Sequence, residues 1–303
     1  MINVVLGNGL EGYGVVNYAI NIVRALISEG FDAQLIAYPT GKYAKHEAFD
    51  LHNVPTKKAC EEGDIIFVSL PYTPEQLSVY KKDIQKHDGN VSIFQVDRNV
   101  DRVKKTMLSL PVIPKLNSIM TFETDTNYID WQSIVGKTNI IPNHTLAVFE
   151  EDFAKADKHD MLMFTGRFSQ YKQPELGIEL FYRYFIADNW SYAHAASLPH
   201  VEVKKLLSIA SAGVFASEWR GMPVVENALI EMIASDTVPI MPSAAAIAFA
   251  GDEHLSRGVV SIADIKDGTI NANSIKELSV DKTLLKPYAK EAVAELAINA
   301  LNR

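Results

Sequence analysis

Cysteine is almost absent: Cys60 is the only one in 303 residues. No intramolecular disulfide can form, a thiolate-held metal site is excluded, and a reducing compartment is expected. The eight histidines are scattered, with neither an HxH nor an HExxH spacing. No apolar run approaches the ~18 residues of a membrane span, and the opening MINVVLGNG has no basic n-region. A soluble intracellular protein is therefore expected. A cationic surplus is missing too, since 29 Lys and Arg face 37 Asp and Glu for a net charge of −8. Such a balance does not advertise nucleic-acid binding. The deficit is uneven. Residues 1–145 carry 14 cations against 16 acids (−2) and the remainder 15 against 21 (−6), so the first half can still present a local basic face.

What is present is enough apolar material, 48% of the chain, for a large core, in a length that favours two domains. The stretch Met161–Phe181, MLMFTGRFSQYKQPELGIELF, organises the rest. Four apolar residues run into Thr165-Gly166-Arg167, a polar loop follows, and Pro174 and Glu175 suit a helix start. Strand, tight turn and helix thus carry two cations, Arg167 and, five residues on, Lys172. A helix N-terminus attracts anions, and a guanidinium fork with an ammonium suits two linked phosphates better than one carboxylate. The bland alternative is a solvated loop with two surface cations.

In chain order, Ile2–Leu6 reads as a buried strand leading into Gly7-Asn8-Gly9-Leu10-Glu11-Gly12-Tyr13-Gly14. A helix follows, apolar at Val15, Ala19, Ile22, Val23 and Leu26, with Gly30 as its C-cap. Gly7, Gly9 and Gly12 fit GxGxxG formally. Asp32, however, lies before the second strand and not at its end, which weakens a nicotinamide-cofactor reading. Strands are expected at Ala33–Tyr38, Asp64–Ser69, Val91–Val96, Ser118–Phe122 and Thr138–Ile141. The third of these delivers Asp97 at its carboxyl end, the edge where ligands gather in parallel sheets; otherwise Asp97 caps the next helix. Arg98, Arg102, Lys104 and Lys105 then place four cations within eight residues, a run that more often forms a solvated helix face.

Glu150–Asp160 looks like a linker, and the alternation then resumes. Strands are expected at Ser191–Ala193, Gly213–Ala216, Val238–Met241 and Val259–Ala263, with helices at Val201–Ile209 and Val225–Ala234. Ala244–Ala250 is a buried helix or strand, and a helical stripe runs through Ala289, Val293, Leu296 and Ala300. Two βα-repeating halves of similar size predict two doubly wound domains. Glu226 and Glu231 are five residues apart, about 500° around a helix, so their side chains diverge by roughly 140°. If both meet a ligand, Glu226 stands at or before the helix start and Glu231 within it. A Glu facing inward costs several kcal/mol unless it is satisfied. Ribose hydroxyls would satisfy it; both side chains facing water would need nothing.

GRFSQYK after a strand, with EMIASDTVPI ending on Ile240, resembles the donor-binding domain of retaining GT-B glycosyltransferases. Within that superfamily the chain is most similar to the DNA α-glucosyltransferases of T-even bacteriophages. The matching stretches are GLEGYGV (9–15), CEEGDIIFVSLP (60–71), IFQVDRNV (93–100) and VENALIEMIASDTVPI (225–240), and they keep their order over residues 1–240.

The resemblance implies an α/β GT-B fold, two Rossmann-like domains facing across a cleft. Residues 1–150 would form the acceptor side and 151–283 the nucleotide-sugar domain, with a C-terminal helix (284–303) packing back on the first. Carried over, Arg167 and Lys172 would bind the donor diphosphate, and Glu231 the ribose hydroxyls. Glu226 would lie near the sugar or phosphate, and Gly9, Gly12 and Gly14 would close over both. Asp97 would be catalytic at the acceptor hydroxyl. The family has a histidine just before that aspartate, where this chain has Val96.

The implied reaction is retaining transfer from a UDP-sugar such as UDP-glucose to a hydroxymethylated pyrimidine (hydroxymethylcytosine, for example) in double-stranded phage DNA, in the host cytoplasm. No metal or other cofactor is implied beyond the donor as co-substrate, and the chain has no DxD motif. Lys42, Lys45, Arg98, Arg102, Lys104 and Lys105 would be the phosphate contacts. Three other readings stay open: a GT-B enzyme acting on a glycan, lipid or small molecule; a sugar-nucleotide epimerase; and a non-catalytic nucleotide-sugar-binding protein.

Overall fold

The computed structural model describes residues 1–6, 13–37, 53–68, 88–95, 116–121, 139–142, 146–166, 172–196, 198–219, 222–223 and 225–302. The chain divides into two compact units, Met1–Ala147 with Pro287–Arg303, and Val148–Lys286.

The first unit is built on seven parallel strands: β1 (Ile2–Leu6), β2 (Ala33–Ile36), β3 (Thr56–Lys57), β4 (Asp64–Val68), β5 (Val91–Gln95), β6 (Leu116–Thr121) and β7 (Asn139–Pro142). Their order is β3-β2-β1-β4-β5-β6-β7. INVVL, AQLI and DIIFV are buried on both faces along almost their whole length, the continuous apolar run that a covered parallel sheet requires. Helix α1 (Tyr13–Ser28) packs on β1 and β2 and also on the C-terminal helix, Lys290–Asn302. That second partner explains why Val16, Ile20, Ile22, Val23 and Leu26 are all buried although they occupy more than one helical stripe.

The C-terminal helix is fixed to this sheet by two buried hydroxyls. Ser92 on β5 and Ser118 on β6 donate to the carbonyl of Ala300 at 2.8 and 2.9 Å. That carbonyl lies in the helix's last turn, where no intrahelical donor is left to meet it.

The second unit holds β8 (His159–Phe164), α2 (Pro174–Leu180), β9 (Ser191–His194), α3 (His200–Ile209) and β10 (Ala210–Val214). A hairpin of β11 (Glu218–Trp219) and β12 (Met222–Pro223) follows, then α4 (Asn227–Ala234), β13 (Val238–Met241), α5 (Ser243–Ala250), β14 (Val260–Ser261), α6 (Ile262–Lys266) and α7 (Ala272–Ile275). The five-stranded parallel sheet runs β14-β13-β10-β8-β9. Leu162, Phe164, Phe185, Val214, Ile240 and Ile275 belong to its core.

Three expectations need correction. Val259–Ala263 contributes only two paired residues, because Ser261 and Asp264 form a reciprocal capping box that starts α6. Glu150–Asp160 is not all linker: Glu150–Asp152 is a 3-10 turn and His159 already pairs with Ala210. The helix expected from Val225 begins at Asn227.

Lys158, just before β8, ties three elements together. Its ammonium donates to the carbonyls of Leu207 (3.0 Å) and Ser235 (2.6 Å) and to the Thr237 hydroxyl (3.2 Å). Leu207 and Ser235 lie at the C-terminal ends of α3 and α4, where a cation is favoured. Burial nevertheless pushes the Lys158 pKa down to about 8, with Lys282 adding to the shift and Asp236 opposing it. The folded-state value thus lies below the unfolded one. Between the two, the unfolded chain binds one more proton, so stability rises with pH there. Lys158→Met should cost about 1–3 kcal/mol near neutrality through the carbonyl left unmet. Its urea-unfolding free energy should also lack wild type's upward slope between pH 8 and 10.5; parallel pH curves for the two proteins would contradict this.

Candidate functional site

The strand order of the second unit reverses between β8 and β10, since β9 follows β8 on one side while β10 pairs with β8 on the other. Outside the carboxyl ends of two such strands lies the crevice where doubly wound sheets bind ligands. Phe164 and Val214 are register partners at those ends. The residues that follow them, Thr165-Gly166 and Phe215-Ala216-Ser217, therefore emerge side by side.

Gly166 has φ +147°, backbone that a side chain would strain, and the aliphatic chain of Lys172 passes 3.5 Å from where its Cβ would stand. Gln173 follows at φ +50°, an uncommon left-handed conformation for a non-glycine residue, directly before α2. This turn aims Lys172 across the strand ends, and the side chain is buried, with 9% exposure. Its ammonium donates to the Ser217 hydroxyl at 2.9 Å and to Oε2 of Glu226. Ser217 in turn lies 3.4 Å from the same carboxylate oxygen. Thr165, also buried, has a hydroxyl without a hydrogen-bond partner among the described residues.

Glu226 is the N-cap residue of α4, in extended backbone, and its side chain does not cap the helix. The carboxylate is instead turned to Lys172, so the N-terminal amides of α4 have no side-chain acceptor from the cap position. An uncapped helix start beside a cation favours an anion. Glu231 lies within α4, buried at 8% exposure, and accepts from His200 Nε2 at 2.8 Å. His200 is the first residue of α3, so it too stands at the carboxyl edge of the sheet. His194, at the end of β9, meets the Gly166 carbonyl at 3.2 Å and packs edge-on to Phe164.

Of the residues singled out from the sequence, the structure brings Lys172 and Glu226 into direct contact and gives Glu231 a histidine partner. Gly14 lies in the first turn of α1. Arg167, Asp97, Gly9, Gly12, Lys42, Lys45, Arg98, Arg102, Lys104 and Lys105 lie outside the described residues. Two members of the site went unread. Ser217 and His200 touch partners 45 and 31 residues away, and neither sits in a local pattern that marks it. Among the described residues no cluster of three or more His, Cys, Asp or Glu could hold a metal ion, and no helix is long and apolar enough to cross a membrane.

This architecture, two parallel doubly wound sheets, is the GT-B fold of glycosyltransferases. No family model matches the sequence, and no curated protein matches it. Solved structures do. An alpha-glucosyltransferase in complex with UDP superposes with a TM-score of 0.65 at 13% identity, covering 100% of this chain and 99% of that one. An alpha-glucosyltransferase in complex with UDP-glucose and DNA containing an abasic site gives 0.62 at 14%, over 97% and 94% of the two chains. A glycosyltransferase involved in avilamycin A biosynthesis gives 0.58 at 12%, over 100% and 97%. At these identities the likeness is one of fold.

Proposed function

We propose that the chain is a glycosyltransferase that moves a sugar from a UDP-sugar to a hydroxymethylated pyrimidine in double-stranded DNA, with retention of configuration. One observation carries the proposal. A buried lysine, held by Glu226 and Ser217, stands beside an uncapped helix start at the strand-order reversal of the second unit, in a chain whose whole length follows a UDP-bound alpha-glucosyltransferase.

In this reading Lys172 and Arg167 bind the donor diphosphate, and Gly9, Gly12 and Gly14 close over it. Glu231 takes the ribose hydroxyls and Glu226 lies near the sugar. Residues 1–150 supply the acceptor side, 151–283 the donor side, and 284–303 return to the first. As the bond from the sugar's anomeric carbon to the phosphate oxygen breaks, negative charge gathers on the departing UDP. Fixed cations and helix amides stabilise that charge more than they stabilise the bound donor, which is what lowers a barrier. The acceptor hydroxymethyl oxygen bonds to the same carbon, and its proton passes to Asp97. Preorganised cations of this kind do the work without a metal ion. Reaching a base inside a duplex involves extruding it, with Lys42, Lys45, Arg98, Arg102, Lys104 and Lys105 as phosphate contacts. The expected setting is the cytoplasm of a phage-infected host.

The test is incubation with a panel of UDP-sugars and with DNA that is unmodified or hydroxymethylated, followed by mass analysis of the digested nucleosides. The expected result is one hexose or pentose mass added to the hydroxymethylated nucleoside alone. Acceptor affinity should also fall steeply between about 50 and 200 mM salt, as phosphate contacts release counterions. A flat salt response with transfer to a free glycan would transfer the proposal to a small-molecule or glycan acceptor. Donor conversion with no acceptor present would indicate an epimerase, and donor binding without any turnover a binding protein.

A further inference from the structure

We infer that His200 is a positioning residue for donor recognition: it holds Glu231 so that one carboxylate oxygen faces the vicinal hydroxyls of a nucleoside diphosphate. The inference rests on the donor-site reading above and extends it to a residue in a different helix.

Glu231 is an acid inside an otherwise apolar helix, flanked in sequence by Ile230 and Met232, both buried. Burying its charge costs several kcal/mol unless a partner compensates it. His200 supplies that partner at 2.8 Å. A carboxylate oxygen only accepts, so Nε2 must carry the proton and donate. The bond falls on Oε1, and it is the only hydrogen bond the Glu231 carboxylate makes among the described residues, so within them Oε2 keeps its capacity to accept.

The other ring nitrogen of His200, Nδ1, is buried with no hydrogen-bond partner among the described residues. Within them the ring makes one hydrogen bond, and that bond goes to the Glu231 carboxylate.

Position supports the same role. Both side chains belong to elements that start at the ligand-binding edge, His200 as the first residue of α3 and Glu231 five residues beyond the N-cap of α4. Five residues advance about 7 Å along a helix axis. The Glu226–Lys172 pair at the helix start and the Glu231–His200 pair farther along are thus offset, as a nucleotide's diphosphate and ribose are. A cation stands at the first point and, among the described residues, an acceptor without a donor at the second. An acceptor recognises hydroxyl donors, and a nucleoside's 2′- and 3′-hydroxyls are the donors at that distance from its phosphates.

The decisive measurement compares UDP with 2′-deoxy-UDP by calorimetric titration. Wild type should prefer UDP by about 10- to 100-fold, the range of one hydrogen bond to a charged group. His200→Ala should bring the two affinities together and raise KM for the UDP-sugar while leaving kcat nearly unchanged. Glu231→Gln, which keeps the side chain's shape, should also lose the preference. His200→Gln, whose amide can donate from the position of Nε2, should keep part of it. A general loss of packing would weaken both ligands alike and leave their ratio intact.

An unchanged ratio in His200→Ala would overturn the inference. If melting curves show that this variant does not fold, an unchanged ratio in Glu231→Gln does the same. A wild type that binds UDP and 2′-deoxy-UDP equally also overturns it, with the donor site still standing. A wild type that binds neither UDP nor UDP-glucose removes the donor-site reading itself.

Discussion

Lys172→Ala should slow sugar transfer by about 100- to 1,000-fold, the loss expected when one preorganised donor to a developing anion is removed. The size follows from burial. A flexible surface lysine can be replaced by water or salt, whereas Lys172 is 9% exposed and its ammonium is fixed by Ser217 and Glu226. In the role proposed for it, the ammonium would then need no reorganisation as charge develops on the leaving diphosphate.

Removing the lysine also leaves the Glu226 carboxylate without its cation, so that it would repel a diphosphate bound beside it. Lys172→Ala should therefore weaken UDP binding beyond the loss of one attraction. The double variant Lys172→Ala/Glu226→Gln should regain part of that affinity, a non-additivity expected of residues in direct contact. Arg167→Ala should give a loss of similar size in transfer. Steady-state kinetics and UDP titration on the four proteins supply the test; wild-type turnover in both single lysine and arginine variants would remove the diphosphate assignment.

The second large effect is expected at Asp97. Asp97→Asn keeps the side chain's size and one of its acceptors but can no longer take a proton. Transfer should drop by about 100- to 10,000-fold, the usual range for a positioned general base. UDP affinity should remain at the wild-type value, because the role proposed for Asp97 is with the acceptor hydroxyl, and the two cations proposed to bind the diphosphate, Arg167 and Lys172, belong to the other unit. That separation of effects distinguishes a reacting-centre carboxylate from one that merely caps a helix. A capping residue replaced by Asn, itself a good N-cap, would leave both measurements unchanged. Near-full transfer by Asp97→Asn would take the residue out of the chemistry.

The strands were the most legible part of the chain. Parallel strands covered on both faces must be apolar at nearly every position, so INVVL, DIIFV and VPIM stand out against their surroundings. Their ends were less legible, because capping depends on a few local hydrogen bonds. The Ser261–Asp264 box turned the tail of the strand expected over Val259–Ala263 into a helix start.

For the site, the angle between residues five apart put Glu226 at the helix start only on the condition that both acids meet a ligand; the helix itself was expected from Val225, and the structure starts it at Asn227. The partners of the two acids did not follow from it. Burial of Lys172 against Ser217, and of Glu231 against His200, depends on which strand lies beside which. A parallel sheet's strand order leaves no local trace in the residues it joins.

The amino-acid order by itself determined the α/β class, the alternation of strand and helix in two halves, and the presence of acids and cations near turns and helix starts. Those properties are local: hydrophobic period, glycine at turns, charge at helix starts. Only the tertiary structure decided that the strand order reverses between β8 and β10, that Lys172 is buried and paired with Glu226, and that His200 holds Glu231. These depend on contacts between residues tens of positions apart, and such contacts exist only once the sheet has assembled.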